Sequence, residues 1–191
     1  MHIEGRRPVV VDTDEHPRPG TTLEQLARLE AAFEPGGTVT AGNASGVNDG
    51  AAAVVVTKAS TARERGLAPL ATIEHVSTAA LEPGIMGYAP VLALRSLFEA
   101  TGLTPADIDV FEVNEAFASQ AVAVIRDAGL DPEKTNPYGG AIALGHPVGA
   151  TGPILTLRAA MDLRRRDLEY AVVTMCIGGG QALAALLRRA A

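Results

Sequence analysis

A chain of 191 residues is long enough to bury one substantial core. Hydrophobic residues make up 47% and charged residues 20%, which excludes a disordered chain, and the net charge of −6 argues against a nucleic-acid partner, whose phosphates call for a basic surface. No run reaches the roughly 18 apolar residues of a membrane span, so no membrane partner is expected. The start of the chain, with Glu4, Arg6 and Arg7, has no signal-peptide core, and the expected location is cytoplasmic. Cys176 is the only cysteine, so no disulfide within the chain can form.

Residues 8–11 read as a strand and residues 12–20 as a charged, proline-containing loop. Thr21 and Thr22 can cap a helix, with Glu24 and Gln25 three residues on and Leu23, Leu26 and Leu29 on one face, ending near Phe33 and Pro35. The glycine-containing turn at 41–46 is followed by an alanine-rich stretch, expected to be helical, and by a β-branched strand at 54–57. A helix at 60–65 stops at Gly66, and residues 70–76 alternate as a strand does. A loop holding Pro83, Gly84, Met86, Gly87 and Pro90 leads to a helix with Val91, Leu94, Leu97 and Phe98 on its apolar face, ended by Gly102.

Residues 108–113 predict a strand, after which Asn114 opens a helix carrying Ala118, Ala121, Val122 and Ile125 at helical spacing and closed near Gly129. A glycine-rich loop spans 138–152, and residues 153–165 form a helix with Ile154, Leu157 and Met161 on one side. Arg164, Arg165 and Arg166 read as its solvated end. Residues 170–176 are a buried strand; for 181–187 alanine and leucine favour helix on propensity, but the length suits a final strand, which is preferred. Strands alternating with helices predict an α/β layered fold, a sheet covered by helices.

Chemistry-bearing residues fall where strands end, the place where ligands gather in layered α/β folds. His146 stands among glycines before a helix start, where an imidazole can act as a base near neutral pH or simply hydrogen-bond its loop. Cys176 precedes Gly178, Gly179 and Gly180, whose backbone N–H groups can lower a thiol's pKa or hold an oxyanion; a small buried hydrophobe is the other reading. Asn114 either caps a helix or joins His146 and Cys176 in one site. A proton-shuttling site acting on a carbon acid is one chemistry that the three can perform.

Together these segments resemble the thiolase family. Asn114, Glu115, Ala116 and Phe117 match its Asn-Glu-Ala-Phe motif, the His146 loop its Gly-His-Pro motif, and residues 176–180 its Cys-x-Gly-Gly-Gly motif, in order and in spacing. Residues 41–49 with Gly50 resemble its Gly-Asn-Ala-Ser-Gly segment, and Met86-Gly87 a loop beside its coenzyme A channel. The resemblance spans essentially the whole chain. It implies a layered thiolase-like fold, α-β-α-β-α in the full family, of which this chain would be the C-terminal core with a piece of the N-terminal core and loop domain. Residues 1–47 would be the tail of the coenzyme-binding loop domain, 48–68 the last part of the N-terminal core, and 69–191 the C-terminal domain.

The implied activity is that of an acyltransferase exchanging acyl groups between 3-ketoacyl-CoA or acetyl-CoA and coenzyme A, the latter a substrate, with no permanently bound cofactor and no metal. His146 would activate a nucleophilic cysteine, Cys176 would move the proton on the α-carbon of acetyl-CoA, Asn114 would hold a water in one oxyanion hole, and the Gly178 N–H would contribute to another. Ser45 and Met86 would line the pantetheine path with Phe33 and Phe117 beside it, and Arg18 would approach the adenine end.

Two departures stand out. The family's nucleophilic cysteine belongs to a first half that this sequence does not include, so the isolated chain is expected to be inactive, and Ala182 stands where glycine is commoner. The expected partners are acyl-CoA and CoA, together with a complementary thiolase N-terminal half or further copies of the chain. A catalytically silent coenzyme A-binding or assembly subunit is the alternative. A ketoacyl synthase relative is disfavoured by Cys176, where those enzymes generally place histidine.

Overall fold

The structure, a computed structural model, describes residues 2–3, 9–10 and 12–190. Its elements in chain order are β1 (His2–Ile3), β2 (Val9–Val10), α1 (Leu23–Leu26), α2 (Ala59–Glu64), β3 (Ala71–Ala80), α3 (Ala89–Thr101), β4 (Val110–Val113), α4 (Ala118–Asp127), α5 (Ala141–Leu144), α6 (Thr151–Arg165), β5 (Tyr170–Gly178) and β6 (Gln181–Arg189). Of the strand expected at 8–11, positions 9 and 10 pair with β1; positions 8 and 11 lie outside the described residues.

Four strands form the central sheet in the order β3-β6-β5-β4, antiparallel except for the parallel pair β4 and β5. Alternation along the strands divides the core. Phe111 and Val113 of β4, Val172 of β5 and Leu186 of β6 pack with Val91, Leu94 and Leu97 of α3 and Val124 of α4. Val110, Ala171, Val173 and Leu187 turn the other way, onto Leu155, Ala159 and Leu163 of α6. The result is helix, sheet, helix, as the alternation of elements predicts. Residues 181–189 are strand because their side chains alternate between the two faces, and this tertiary burial overrides helix propensity. Among the described residues no helix is long and apolar enough to cross a membrane.

Turn chemistry joins these elements. β5 and β6 are connected through Gly179 and Gly180, both at positive φ (59° and 86°), as a tight hairpin requires. Gly102, at φ 72°, closes α3 by donating its N–H to the Phe98 carbonyl. A Cβ there would meet nothing within 4 Å, so Gly102→Ala should cost about 1 kcal/mol through backbone strain alone, read from the urea midpoint.

Several expectations are corrected. The helix begun at Thr22 has the expected capping box with Gln25 but lasts one turn, because Leu23 and Leu29 stay exposed and no buried face sustains it. The alanine-rich stretch and the strand at 54–57 form neither helix nor strand. Val55 is 94% exposed, and no neighbouring strand takes up these backbone groups among the described residues. Asn114 does not open a helix: residues 114–117 are held extended, with Ala44 pairing Phe117, Ser45 N–H donating to Ala116 and Ala118 N–H to Asn43, so α4 begins at Ala118. The glycine-rich loop contains the single turn α5. The inward face of α6 is Leu155, Ala159 and Leu163, whereas Met161 is exposed and Ile154 and Leu157 are half-buried.

Candidate active site

Asn114 leaves the end of β4 already fixed. Its backbone N–H donates to Thr174 on β5 at 3.0 Å. One residue earlier, Asn136 accepts from Val113 N–H and donates to the Val113 carbonyl, each at 2.8 Å. Asn136 itself sits at φ 48°, a left-handed position that asparagine tolerates. The Asn114 side chain is buried; its Nδ2 lies 3.3 Å from His146 Nε2, and its Oδ1 has no partner within the protein.

His146 is reached from the other side by the loop of residues 41–49. Its backbone N–H meets Asn48 Oδ1 at 3.1 Å and the Gly46 carbonyl at 3.3 Å, and Val47 pairs with it in parallel. Gly145, at φ 90°, lies so close to the Asn48 amide that a Cβ would overlap it. The ring is then oriented by Thr151 in the first turn of α6. Thr151 has one hydroxyl proton, which it donates to the Pro147 carbonyl at 3.0 Å, so at 2.7 Å it accepts from His146 Nδ1–H. Asn114 Nδ2–H correspondingly faces the lone pair of Nε2. Both bonds describe one neutral tautomer, and burial lowers the imidazole's pKa from its ordinary 6.5, keeping it neutral at pH 7.

Cys176 lies two residues beyond Thr174 on the same strand, is buried, and is not hydrogen-bonded to His146 or Asn114. Burial raises its thiol pKa above the ordinary 9.0, outweighing the lowering by its own backbone N–H, so of the readings open in the sequence a thiol pKa lowered by the glycine amides is not met, and the thiol is protonated at neutral pH. Gly178 follows at φ 105°, where the pairing of β5 with β6 shifts register.

The remaining expected residues are only partly brought together. Phe33 and Phe117 meet edge to face with centroids 5.8 Å apart, and Ser45 is bonded to Ala116 beside them. Arg18 lines a cleft of about 710 Å³ with Thr21, Leu29, Ala44 and Ile142. Met86 is half-buried in the 3₁₀ stretch Pro83–Tyr88, which packs on β5 and α4.

Sequence reading gave no role to Asn48 and Thr151, which bond His146, or to Asn136 and Glu115, which bond each other and the residues around its loop. Two of them carried a signal: Thr151 is a hydroxyl at a helix start five residues after His146, and Glu115 stands beside Asn114 in the Asn-Glu-Ala-Phe motif. It also missed Glu112 on β4, which is buried 3.4 Å from Arg158 Nη2 on α6 with Oε2 unpartnered. Desolvation pushes its pKa up to about 7, against the lowering by Arg158. Among the described residues no group of three or more His, Cys, Asp or Glu gathers to hold a metal ion.

Comparison with known proteins bears on this arrangement. Residues 67–189 match the model of the thiolase C-terminal domain and residues 1–60 that of the thiolase N-terminal domain. An acetyl-CoA acetyltransferase of Thiocystis violacea is 50% identical over 182 residues, covering 95% of this chain and 46% of that protein. The 3-oxoadipyl-CoA/3-oxo-5,6-dehydrosuberyl-CoA thiolase of Escherichia coli K12 is 51% identical over 191 residues, covering 98% of this chain and 48% of that protein. The crystal structure of the Bacillus anthracis acetyl-CoA acetyltransferase superposes with a TM-score of 0.90 at 44% identity, covering 99% of this chain and 48% of that one. Human mitochondrial 3-ketoacyl-CoA thiolase in complex with CoA superposes with a TM-score of 0.83 at 43% identity, covering 100% and 48%. The chain thus spans about half the length of the relatives it matches, and by its domains, motifs and fold it belongs to the thiolase family.

Proposed function

We propose that this chain serves a thiolase-type acyltransferase, exchanging acyl groups between 3-ketoacyl-CoA or acetyl-CoA and coenzyme A, and that it supplies the base, acid and oxyanion residues. The observation that carries the reading is His146 held between Thr151 and Asn114, its Nδ1 engaged as a donor and its Nε2 carrying the lone pair. The acyl-accepting thiol then comes from outside these residues, because Cys176, the only cysteine, takes the other role.

In the thiolytic direction His146 Nε2 accepts the proton of that thiol, and the thiolate attacks C3 of the 3-ketoacyl-CoA. The C2–C3 bond breaks, its electron pair passes into the enolate of acetyl-CoA, and the Cys176 thiol protonates C2. A thiol protonated at neutral pH suits that donation. Coenzyme A then gives its thiol proton to the Cys176 thiolate and attacks the acyl thioester, releasing the shortened acyl-CoA. Asn114, whose Oδ1 has no protein partner, holds a water in one oxyanion hole, and the Gly178 N–H contributes to the second. Ser45 and Met86 line the pantetheine path beside Phe33 and Phe117, with Arg18 at the adenine end.

Residues 1–47 belong on this reading to the coenzyme-binding loop domain, 48–68 to the N-terminal core and 69–191 to the C-terminal domain. A complementary N-terminal half is the natural partner, and a second copy the competing one. Its supporting observation is a groove of about 620 Å³ lined by Val54, Val55, Val56, Ile73 and Leu157, apolar surface that a lone soluble chain rarely leaves open.

The test supplies the chain with a 3-ketoacyl-CoA and coenzyme A, alone and with a purified thiolase N-terminal half, and follows acetyl-CoA release. Turnover should require both polypeptides. Rapid thiolysis by the chain alone would overturn the placement of the acyl acceptor, and tight coenzyme A binding without turnover in any pairing would favour the silent binding subunit.

A further inference from the structure

Adjacent residues of one motif reach the same histidine by different routes. Asn114 meets the imidazole itself. Glu115 meets the backbone that leads to it: Oε2 accepts from Ile142 N–H in α5 at 3.3 Å, and Oε1 accepts from Asn136 Nδ2 at 3.1 Å. Asn136 is tied to β4 at three points, since its backbone N–H donates to Phe111 and its amide makes both bonds to Val113. Its third amide bond therefore anchors the Glu115 carboxylate to the end of β4.

The carboxylate occupies the first turn of α5, where backbone N–H groups lack helical partners. It sits so close to Gly140 that a Cβ on that residue would overlap its carboxylate atoms. Three residues separate Ile142 from His146, and the intervening turn is closed by Gly145 N–H to the Ala141 carbonyl at 2.8 Å. Arg158 supports the same loop by donating to the Gly139 carbonyl at 2.8 Å. His16 bonds the Ile142 carbonyl at 3.1 Å from outside. Arg158 reaches β4 as well, through Glu112 at 3.4 Å, but Glu115 is the contact that joins α5 itself to the strand end that also carries Asn114.

We infer that Glu115 is a positioning residue for His146: by tying α5 to the end of β4 it keeps the imidazole Nε2 against Asn114 and Nδ1 against Thr151. The inference rests on the site reading proposed above, yet its geometry concerns the histidine and not turnover. Without the carboxylate, Ile142 N–H and Asn136 Nδ2 each lose an acceptor, and the ties to β4 that remain ahead of Gly145, through Arg158 and Asn136, reach the loop at Gly139 and not at α5.

The test reads the His146 ring by ¹⁵N NMR in the 191-residue chain, its signals assigned by their loss in His146→Asn. In the unsubstituted chain the two ring nitrogens should show widely separated shifts, the signature of a single neutral tautomer. Glu115→Ala should narrow that separation as tautomers mix, and the titration midpoint should rise toward the ordinary 6.5 as water reaches the ring. Glu115→Gln keeps one acceptor but turns an NH₂ on a neighbouring donor, so it should give an intermediate separation, and it decides the matter if the alanine variant does not fold. Leu94→Ala, a core change remote from the loop, should lower stability and leave the ring signals alone. An unchanged separation and midpoint in the folded Glu115 variants would overturn the inference, whatever the activity of the reconstituted pair.

Discussion

Replacing His146 by alanine in the reconstituted pair should lower kcat/KM for thiolysis by ~10²–10⁴-fold, the usual contribution of a positioned general base. The prediction follows from the two ring contacts. Thr151 uses its only proton on Pro147 and so accepts from Nδ1–H, and Asn114 presents an N–H to Nε2, which leaves Nε2 as the basic atom. Alanine removes that atom and also orphans the buried Asn114 amide. His146→Asn, which fills similar space but has no basic nitrogen at neutral pH, should be nearly as inactive. The pH dependence carries a second signature. The base must be neutral, and burial lowers its pKa, so the acid limb should fall below 6.5. The acid must be protonated, and burial raises the Cys176 thiol, so the alkaline limb should lie above 9.0. An alanine variant that keeps its activity, or an acid limb above 6.5, would remove His146 from the base role.

How far this was legible in the sequence depends on whether an element finds its partners within the chain. The strands expected at 108–113, 170–176 and 181–187 form, at Val110–Val113, Tyr170–Gly178 and Gln181–Arg189, because each lies among neighbours that this chain supplies. The run at 54–57 has the same β-branched character and forms no strand, since composition favours extended backbone but cannot provide the adjacent strand that would accept its hydrogen bonds. The misreading of Asn114 has a related cause. Capping is the default for asparagine before a helix, and the pairing of Ala44 with Phe117, across more than seventy positions, is invisible to a local pattern. His146, Asn114 and Cys176 stood out because polar residues at strand ends are conspicuous. Thr151 offered only a hydroxyl at a helix start and Asn48 nothing at all, because a hydroxyl or amide that orients another side chain looks in sequence like any surface residue. On α6 the half-buried Leu157 and exposed Met161 share a helical spacing with the truly inward residues, and periodicity alone offered two faces to choose from.

Glu112→Gln should stabilise the chain above neutral pH by as much as roughly 3 kcal/mol and change little below pH 4.5, a reversal of the usual behaviour of a carboxylate. Its folded pKa is pushed from 4.5 up to about 7 by desolvation, with Asp162 and Glu115 adding to the rise and Arg158 opposing it. The folded state therefore holds a proton that the unfolded state releases. The stability due to protonated Glu112 is fully present below 4.5, falls as pH rises, and is gone above about 7; at about 1.4 kcal/mol per unit this gives the stated magnitude. Only 1% of the side chain is exposed, so solvent offers little relief. Glutamine preserves the shape, can still accept from Arg158, and removes the charge. The check is urea denaturation of both proteins at pH 4.5 and pH 8, with the difference in midpoints converted through a common slope. Were Glu112 and Arg158 instead a net favourable ion pair, the glutamine variant would be the weaker one at pH 8. The 3.4 Å separation argues against that outcome, because Arg158 Nη2 lies closer to the Gly139 carbonyl, at 2.8 Å, than to the Glu112 carboxylate, whose Oε2 remains buried with no partner at all.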